Sequence, residues 1–391
     1  MNASDELSSE ITTEYELLNE TEYLEEILGI KYLPLELVVP ITLVYIAILA
    51  AGIVGNLATC IVIYRQPYMQ TPTNCYLFNL ALSDLLLLLW GIPFELSQFW
   101  EQYPWIWGLA ICKLRAYISE SSSYVSVLTI VAFSLERYLA ICHPLRRYAS
   151  GIKGPVRVIL AAWLVALVFA VPFALYTTVS YVKYPPGSNV DSLDSAMCTM
   201  QKENIPEFPL YELSCLVFFL LPMAFIAVLY TRMGLRIQST SLEGAVHGET
   251  TQAHSRRTII RMLGAVVITF FICWAPFHAQ RLMYVYLHES KSFADINTWL
   301  YLLSGCLYYF STTVNPILYN LMSARYRDAF KETLCCCPSR SSITRLDLSS
   351  VRDTSGARGF ASRTGSQVFC RRNTSNQRSI KYNASIRAEK V

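Results

Sequence analysis

The sequence predicts an all-α membrane protein: a bundle of seven transmembrane helices followed by a short helix lying in the membrane interface. Three observations lead there. Hydrophobic residues make up 53% of the 391 positions and charged residues only 16%, with a mean hydropathy of +0.34, whereas a soluble chain carries about 25% charge. Apolar runs long enough to cross roughly 30 Å of hydrocarbon, about 20 residues as a helix, recur seven times. The basic residues gather on alternate connections between those runs. A net charge of +3 is too small for a nucleic-acid binder, and twelve cysteines are too dilute for a disulfide scaffold.

Residues 37–64, 158–182, 213–231, 262–280 and 296–324 contain no Asp, Glu, Lys or Arg. Residues 75–94 are interrupted only by Asp84, and 109–135 only by Lys113, Arg115 and Glu120. None alternates with period 2, so helices, which satisfy their own backbone groups, are the spanning form. The connections 65–74, 143–157 and 232–261 and the tail from 323 hold 24 of the 32 Lys and Arg. Excess Lys and Arg marks the cytoplasm, so the N-terminus is expected outside and the tail inside, in a multi-pass plasma-membrane protein.

The first 36 residues hold ten acids and a single base, Lys31. That is the reverse of a signal peptide's basic start, and no cleaved signal is expected. Asn2 and Asn19 open glycosylation sequons on this outer side; Asn373 and Asn383 open others on the inner side. Residues 1–36 are therefore expected as an extracellular glycosylated tail, and 37–323 as the bundle. In 324–334, Tyr326, Phe330 and Leu334 recur every fourth residue, the pattern of an amphipathic helix in the interface. Cys335, Cys336 and Cys337 follow as palmitoylation candidates, the alternative being free cytosolic thiols. The tail 338–391, rich in Ser, Thr and Arg, has too little to bury and is expected to be disordered.

Polar groups inside spans are costly, and each is a functional hypothesis. Asp84 lies at mid-depth in the second span, with Asn56, Ser126, Ser311 and Asn315 at similar depth. Together they suit a small cation such as sodium, which favours hard oxygen ligands, or an interhelical hydrogen-bond network without an ion. No other cofactor is expected.

Glu95 lies eleven residues beyond Asp84, three turns on and nearly the same face, roughly 16 Å nearer the outside, past a kink expected at Pro93. Glu120 lies about 12 Å below Cys112 in the third span. Two acids at one outer depth exceed the single Arg281 at the top of the sixth span. An unpaired acidic pocket calls for a cationic ligand group, with the guanidinium of Arg the best geometric match. The alternatives are a solvated vestibule or internal pairs with Arg281 and Arg115. Cys112 and Cys198 both fall on the oxidising side and are expected to form a disulfide tying the long external connection 178–208 across the pocket. Glu136-Arg137-Tyr138 ends the third span on the inner side, where the pair can anchor a helix end.

Taken together, Gly55-Asn56, Leu80-Ala-Leu-Ser-Asp84, the Trp107 loop before Cys112, Glu136-Arg137-Tyr138, Trp163, Pro222, Tyr230, Cys273-Trp274-Ala275-Pro276 and Asn315-Pro316-Ile-Leu-Tyr319 resemble the rhodopsin-like G-protein-coupled receptors over residues 38–337. The resemblance implies that a ligand bound outside shifts packing at Trp274 and Phe270, with Pro276 as the bend of the sixth span. Arg137, Tyr230 and Tyr319 then rearrange to admit a heterotrimeric G protein, and later arrestin. Glu136 stands where the family usually has Asp, Arg256 stands where some relatives have an acid that locks the Arg, and Ser311 replaces an Asn of the family's sodium site.

Ser119 stands where amine receptors carry Asp, residues 296–324 lack the Lys that opsins need, and a polar, acidic pocket disfavours lipids. A peptide ligand remains. Pro93-Phe-Glu95-Leu-Ser-Gln98, Gln102-Tyr-Pro104-Trp105, Ser119-Glu120 and Phe277-His278-Ala279-Gln280-Arg281 resemble the neuromedin U, pyrokinin and Capa receptor group. That likeness implies peptides ending in Pro-Arg-X-amide and a calcium-raising G protein. In this reading Glu95 and Glu120 clamp the ligand Arg, Arg281 meets backbone carbonyls or the terminal amide, and Gln98, Tyr124, Phe277, His278, Tyr301 and Tyr308 line the walls. A different peptide is the nearest alternative. A channel or transporter would need repeats or a ring of pore charges. An enzyme would need a nucleophile or metal set, which His143, His278 and His288 do not form.

Overall fold

A computed structural model describes residues 19–143, 153–200, 208–245, 250–287, 293–322 and 324–334. Asn2, the inner-side sequons and Cys335, Cys336 and Cys337 lie outside these residues.

The chain enters through a short helix, α1 (Glu20–Leu28), which the expected tail did not include. Its start is a capping box: Asn19 Oδ1 accepts from the Glu22 backbone N–H at 3.0 Å, and the Glu22 carboxylate accepts from the Asn19 N–H. These reciprocal bonds satisfy two of the donors that open a helix. Gly29, at φ +87°, ends it, a conformation that costs glycine no side-chain clash. α1 is tied down by Ser192 Oγ donating to Glu20 (2.6 Å), Tyr103 Oη donating to the Gly29 carbonyl (2.8 Å) and a Lys31–Glu101 ion pair (3.1 Å).

The long helices follow as α2 (Leu35–Arg65), α3 (Pro72–Trp100), α4 (Gly108–Cys142) and α5 (Lys153–Tyr176). A two-stranded hairpin, β1 (Thr178–Ser180) against β2 (Met197–Thr199), is antiparallel and pairs Val179 with Cys198. Next come α6 (Leu210–Cys215), a π turn (Leu216–Leu220) and α7 (Leu221–Ala245), which together form one span. α8 (Thr250–Leu287), α9 (Phe293–Met322) and the short α10 (Ala324–Leu334) complete the chain. Among the described residues, five stretches are long and apolar enough, by length and composition alone, to cross a membrane. Their burial is inverted relative to a soluble protein. Leu43, Val54, Leu160 and Leu164 face outward, while Asn56, Asp84, Glu120 and Thr129 are buried.

The connection expected at 232–261 is mostly helix among its described residues, since α7 runs on to Ala245 and α8 begins at Thr250. Arg, Gln, Leu and Met are good helix formers, so the helices outlast their apolar stretches. Prolines account for the irregular backbone. Pro222 has no N–H to offer four residues back, and the π turn lies just before it. Pro316 in α9 likewise leaves the Thr312 carbonyl without its helical donor, and Asn56 Nδ2 supplies one across the bundle at 3.0 Å. Asn56 is therefore committed to backbone, to Thr312 and to Gly52 in its own helix (2.9 Å).

Glycines set the closest helix approaches. Gly91 of α3 sits against the Tyr309 ring of α9, and Gly55 of α2 against the Pro316 ring, where an added Cβ would lie 3.0 Å from the nearest atom. α10 packs Tyr326 and Ala329 inward, with Phe330 half-buried and Leu334 exposed. Gln66 Nε2 donates to Thr333 (2.8 Å) and Tyr68 Oη to Glu332 (2.8 Å), which clasps α10 to the end of α2.

Because Tyr309 is buried against Gly91, overpacking there should be felt. Gly91→Val is expected to lower stability by about 1–3 kcal/mol, read as a lower melting temperature of the purified protein, while Val54→Leu on the outward face leaves it unchanged.

Candidate functional site

The chemistry concentrates at the end of the bundle that carries the hairpin. Cys112 of α4 and Cys198 of β2 are joined by a disulfide, which holds the hairpin over the helix ends. Beneath it lies a cavity of about 250 Å³, lined among others by Glu95, Arg115, Ser119, Glu120, Phe173, Met200, Tyr211, Phe277, Arg281, Tyr301 and Tyr308. Helical periodicity explains part of the set and its continuation inward. On α4, Cys112, Arg115, Ser119 and Ser123 recur at steps of three and four, as do Phe270, Trp274, Phe277 and Arg281 on α8. Such residues share one helix face.

The expected unpaired acidic pocket is corrected: each carboxylate has its own cation. Arg115 Nη2 donates to Glu95 Oε1 at 2.5 Å and Nη1 to Gln98 Oε1 at 3.0 Å, and Tyr301 Oη donates to Glu95 Oε2 at 2.9 Å. Gln98 lies three residues after Glu95, so one guanidinium reaches both. Arg281 pairs with Glu120, and its guanidinium lies 4.1 Å from the Phe277 ring centroid, 5.3 Å from Phe173 and 5.5 Å from Tyr211. Its Nη1 is buried without a hydrogen-bond partner, a donor whose unmet bond has a cost. The pocket charge is thus balanced, two acids against two arginines. Of the two pairs, Arg281–Glu120 is the more deeply buried, since the Glu120 side chain is only 5% exposed.

Among the expected wall residues, Phe277, Tyr301 and Tyr308 line the cavity with the four charges, and Gln98, Tyr124 and His278 do not. Gln98 acts behind the wall, on Arg115. Tyr124 is a full turn below Glu120. There its hydroxyl pairs with Ser214 at 2.8 Å and its ring stacks on Phe218 at 3.6 Å. His278, turned about 100° from Phe277, stacks on Phe219 at 4.9 Å. Tyr211, Phe173 and Met200 also line the cavity and were not anticipated. Met200 had a signal, two residues past Cys198, whereas Tyr211 and Phe173 depend on how α5 and α6 pack.

From the cavity floor an aromatic chain runs inward. Ser123 Oγ and Tyr308 Oη share a hydrogen bond of 2.5 Å, Tyr308 stacks on Phe277 at 4.6 Å, and Tyr308 meets Trp274 edge-on at 5.4 Å. Trp274 stacks on Phe270 at 5.5 Å. Both border a second, small cavity of about 20 Å³ with Asp84, Ser126, Ser311 and Asn315. Asn315 Nδ2 donates to Asp84 Oδ2 at 3.0 Å, and Ser126 Oγ reaches Asp84 Oδ1 at 3.5 Å. Asn56, expected with this group, does not line it. No cluster of three or more His, Cys, Asp or Glu suited to a metal occurs among the described residues.

At the far end of α4, Glu136 Oε1 accepts from Thr73 Oγ1 at 2.9 Å and from Arg137 at 3.4 Å. The Arg137 guanidinium sits 5.6 Å from the Phe133 ring, and Tyr230 Oη shares a 3.2 Å bond with Ser134. The side chains of Tyr319 and Arg256 lie outside the described residues.

A buried pair broken on one side leaves a charge without its partner, at a cost of about 3–5 kcal/mol. Arg281→Met is therefore expected to lower the melting temperature of the purified protein sharply, and Glu120→Gln added to it should restore most of the loss.

A family profile described as 7 transmembrane receptor (rhodopsin family) matches residues 55–319. The neuromedin-U receptor 2 of Mus musculus is 37% identical over 321 residues, 81% of this chain and 80% of that protein. The pyrokinin-1 receptor of Drosophila melanogaster is 36% identical over 362 residues, 77% of this chain and 81% of its own. A neuromedin U receptor homologue of Caenorhabditis elegans is 36% identical over 350 residues, 83% of this chain and 87% of its own. With the disulfide-bridged cavity, the aromatic chain beneath it and the Glu-Arg-Tyr end of α4, these matches make the chain a member of the rhodopsin family of seven-transmembrane receptors, a G-protein-coupled neuropeptide receptor of the neuromedin-U and pyrokinin group.

Proposed function

We propose that the receptor binds the amidated C-terminal end of a Pro-Arg-X-amide peptide in the cavity under the hairpin, and signals chiefly through a calcium-mobilising G protein. The observation that carries this is the pair of glutamates, Glu95 and Glu120, each held by an arginine and both lining one cavity of about 250 Å³. A carboxylate has about four lone-pair sites, so both retain acceptor capacity for a ligand guanidinium, which can also displace Arg115 or Arg281 by exchanging like for like. Arg281 Nη1, lacking a partner, suits a ligand carbonyl or the terminal amide oxygen. The names of the neuromedin-U and pyrokinin relatives support the same ligand group.

In this reading the hairpin end faces outward and the Lys- and Arg-rich connections face the cytoplasm. Ligand contact at Tyr308 and Phe277 biases Trp274 and Phe270 by its differential affinity for two bundle states. Pro276 is the bend of α8, and Arg137, Tyr230, Asn315, Pro316 and Tyr319 change partners to admit the G protein and then arrestin. Asp84, Ser126, Ser311 and Asn315 present hard oxygen donors around a space just large enough for a single small occupant, and would hold a sodium ion. Asn19, exposed at the start of α1, and Asn2 would carry glycans. Cys335, Cys336 and Cys337, immediately after α10, would carry acyl chains beside the membrane.

Transfected cells challenged with a panel of Pro-Arg-X-amide peptides are expected to release calcium at low peptide concentration, with the free-acid versions much weaker. Equal potency of acid and amide would remove the amide from the recognition. Glu95→Gln and Glu120→Gln should each weaken the peptide by about 1.5–3 kcal/mol, the range of a charged hydrogen bond, at matched surface expression. Arg137→Glu is expected to abolish the calcium signal while labelled peptide still binds; a full signal would refute its role.

A further inference from the structure

A third cavity, of about 240 Å³, lies on the flank of the bundle between α5 and the α6–π segment, in its hairpin-side half, lined by Phe169, Pro172, Phe173, Phe208, Leu213 and Phe218 among others. Its polar side-chain atoms are the hydroxyls of Tyr124 and Ser214, which bond to each other at 2.8 Å and so need nothing from an occupant. A polar ligand here would forfeit its hydrogen bonds to water without replacement. Its rim residues Val168, Phe169, Phe208 and Leu213 are exposed and apolar. On a transmembrane bundle that surface meets hydrocarbon, so the medium at the mouth is lipid. Two backbone irregularities border the groove: Pro172, which cannot donate to the Val168 carbonyl, and the π turn that presents Phe218. Inside, Tyr124 stacks on Phe218 at 3.6 Å, and Phe169 meets Phe218 edge-on at 5.5 Å.

We infer that this groove is a binding site for one acyl chain of a phospholipid from the leaflet on the hairpin side. Size favours a chain. A dry cavity of about 150 Å³ holds a benzene ring, so about 240 Å³ accommodates a run of methylenes. Phe173 belongs to this groove and to the Glu95–Glu120 cavity alike, so the chain seats on the back of a wall whose front holds Arg281.

The test uses the full-length receptor in nanodiscs of phosphatidylcholine bearing a diazirine midway along one acyl chain, irradiated and mapped by mass spectrometry. Adducts on 168–173 and 208–218 are expected to exceed those on Leu43 and Val44, exposed residues in the hairpin-side half of α2, by about fivefold, the preference a bound chain would show over passing lipid. Val168→Trp with Leu213→Trp, which fills the mouth from lipid-facing positions, should abolish the excess; Val168→Phe alone should reduce it if the double variant fails to fold. Labelling no greater than on α2, labelling by a sterol diazirine in preference to the phospholipid, or an excess that survives the filled mouth in a folded receptor would each overturn the assignment.

Discussion

Hydrocarbon offers a backbone amide or carbonyl nothing to bond with, and an unmet group there costs several kcal/mol. A departure from regular helix in this bundle is therefore best answered from across it, as at Pro316. Where Pro316 releases the Thr312 carbonyl, Asn56 reaches over from α2 to take it. The same amide donates to Gly52, so one buried side chain mends a break in α9 while pinning α2 beside it. Gly55 lets the Pro316 ring come close enough for that bond. Asn315, the neighbour of that proline, is then aimed at Asp84. The polar centre of the bundle thus follows from the need to satisfy a single broken helix.

The ionic pairs near the hairpin extend that economy. Arg115–Glu95 ties α4 to α3, Arg281–Glu120 ties α8 to α4, and Tyr301 brings in α9 through Glu95. Four spans are thus clasped by groups that also line the cavity, so a ligand that takes over one partner necessarily loosens a helix contact. Tyr308, Phe277 and Trp274 connect that event to the small space around Asp84. In the proposed binding mode, recognition and response would use the same atoms.

Much of this was legible in the sequence because a bilayer leaves few options. Charge-free runs of the right length located the spans, and the sidedness of the cysteines foretold the Cys112–Cys198 bridge. The pairing of the acids was not legible. Whether Arg115 meets Glu95 depends on the bend at Pro93 and on the relative rotation of α3 and α4, which periodicity within one helix does not report. Tyr124 and His278 were assigned to the wall in the reading that the receptor-group likeness supports, yet they turn toward Phe218 and Phe219. α1 did carry a readable sign, Asn19 followed three residues later by Glu22, within a segment whose acidity drew attention to charge instead.

The charge balance of the cavity divides two properties of a receptor that are often treated as one. Two glutamates and two arginines cancel within a few ångströms, so the pocket projects little field beyond a Debye length of about 8 Å at physiological ionic strength. The first 36 residues, with ten acids and one base, do project one, and α1 holds the end of that segment against the hairpin at the cavity mouth. For the cationic peptide proposed above, the rate of arrival would then be governed by the N-terminal segment and would fall as salt rises. How long it stays is governed by short contacts that salt barely reaches. For that ligand, arrival and residence would therefore vary independently, each with its own residues.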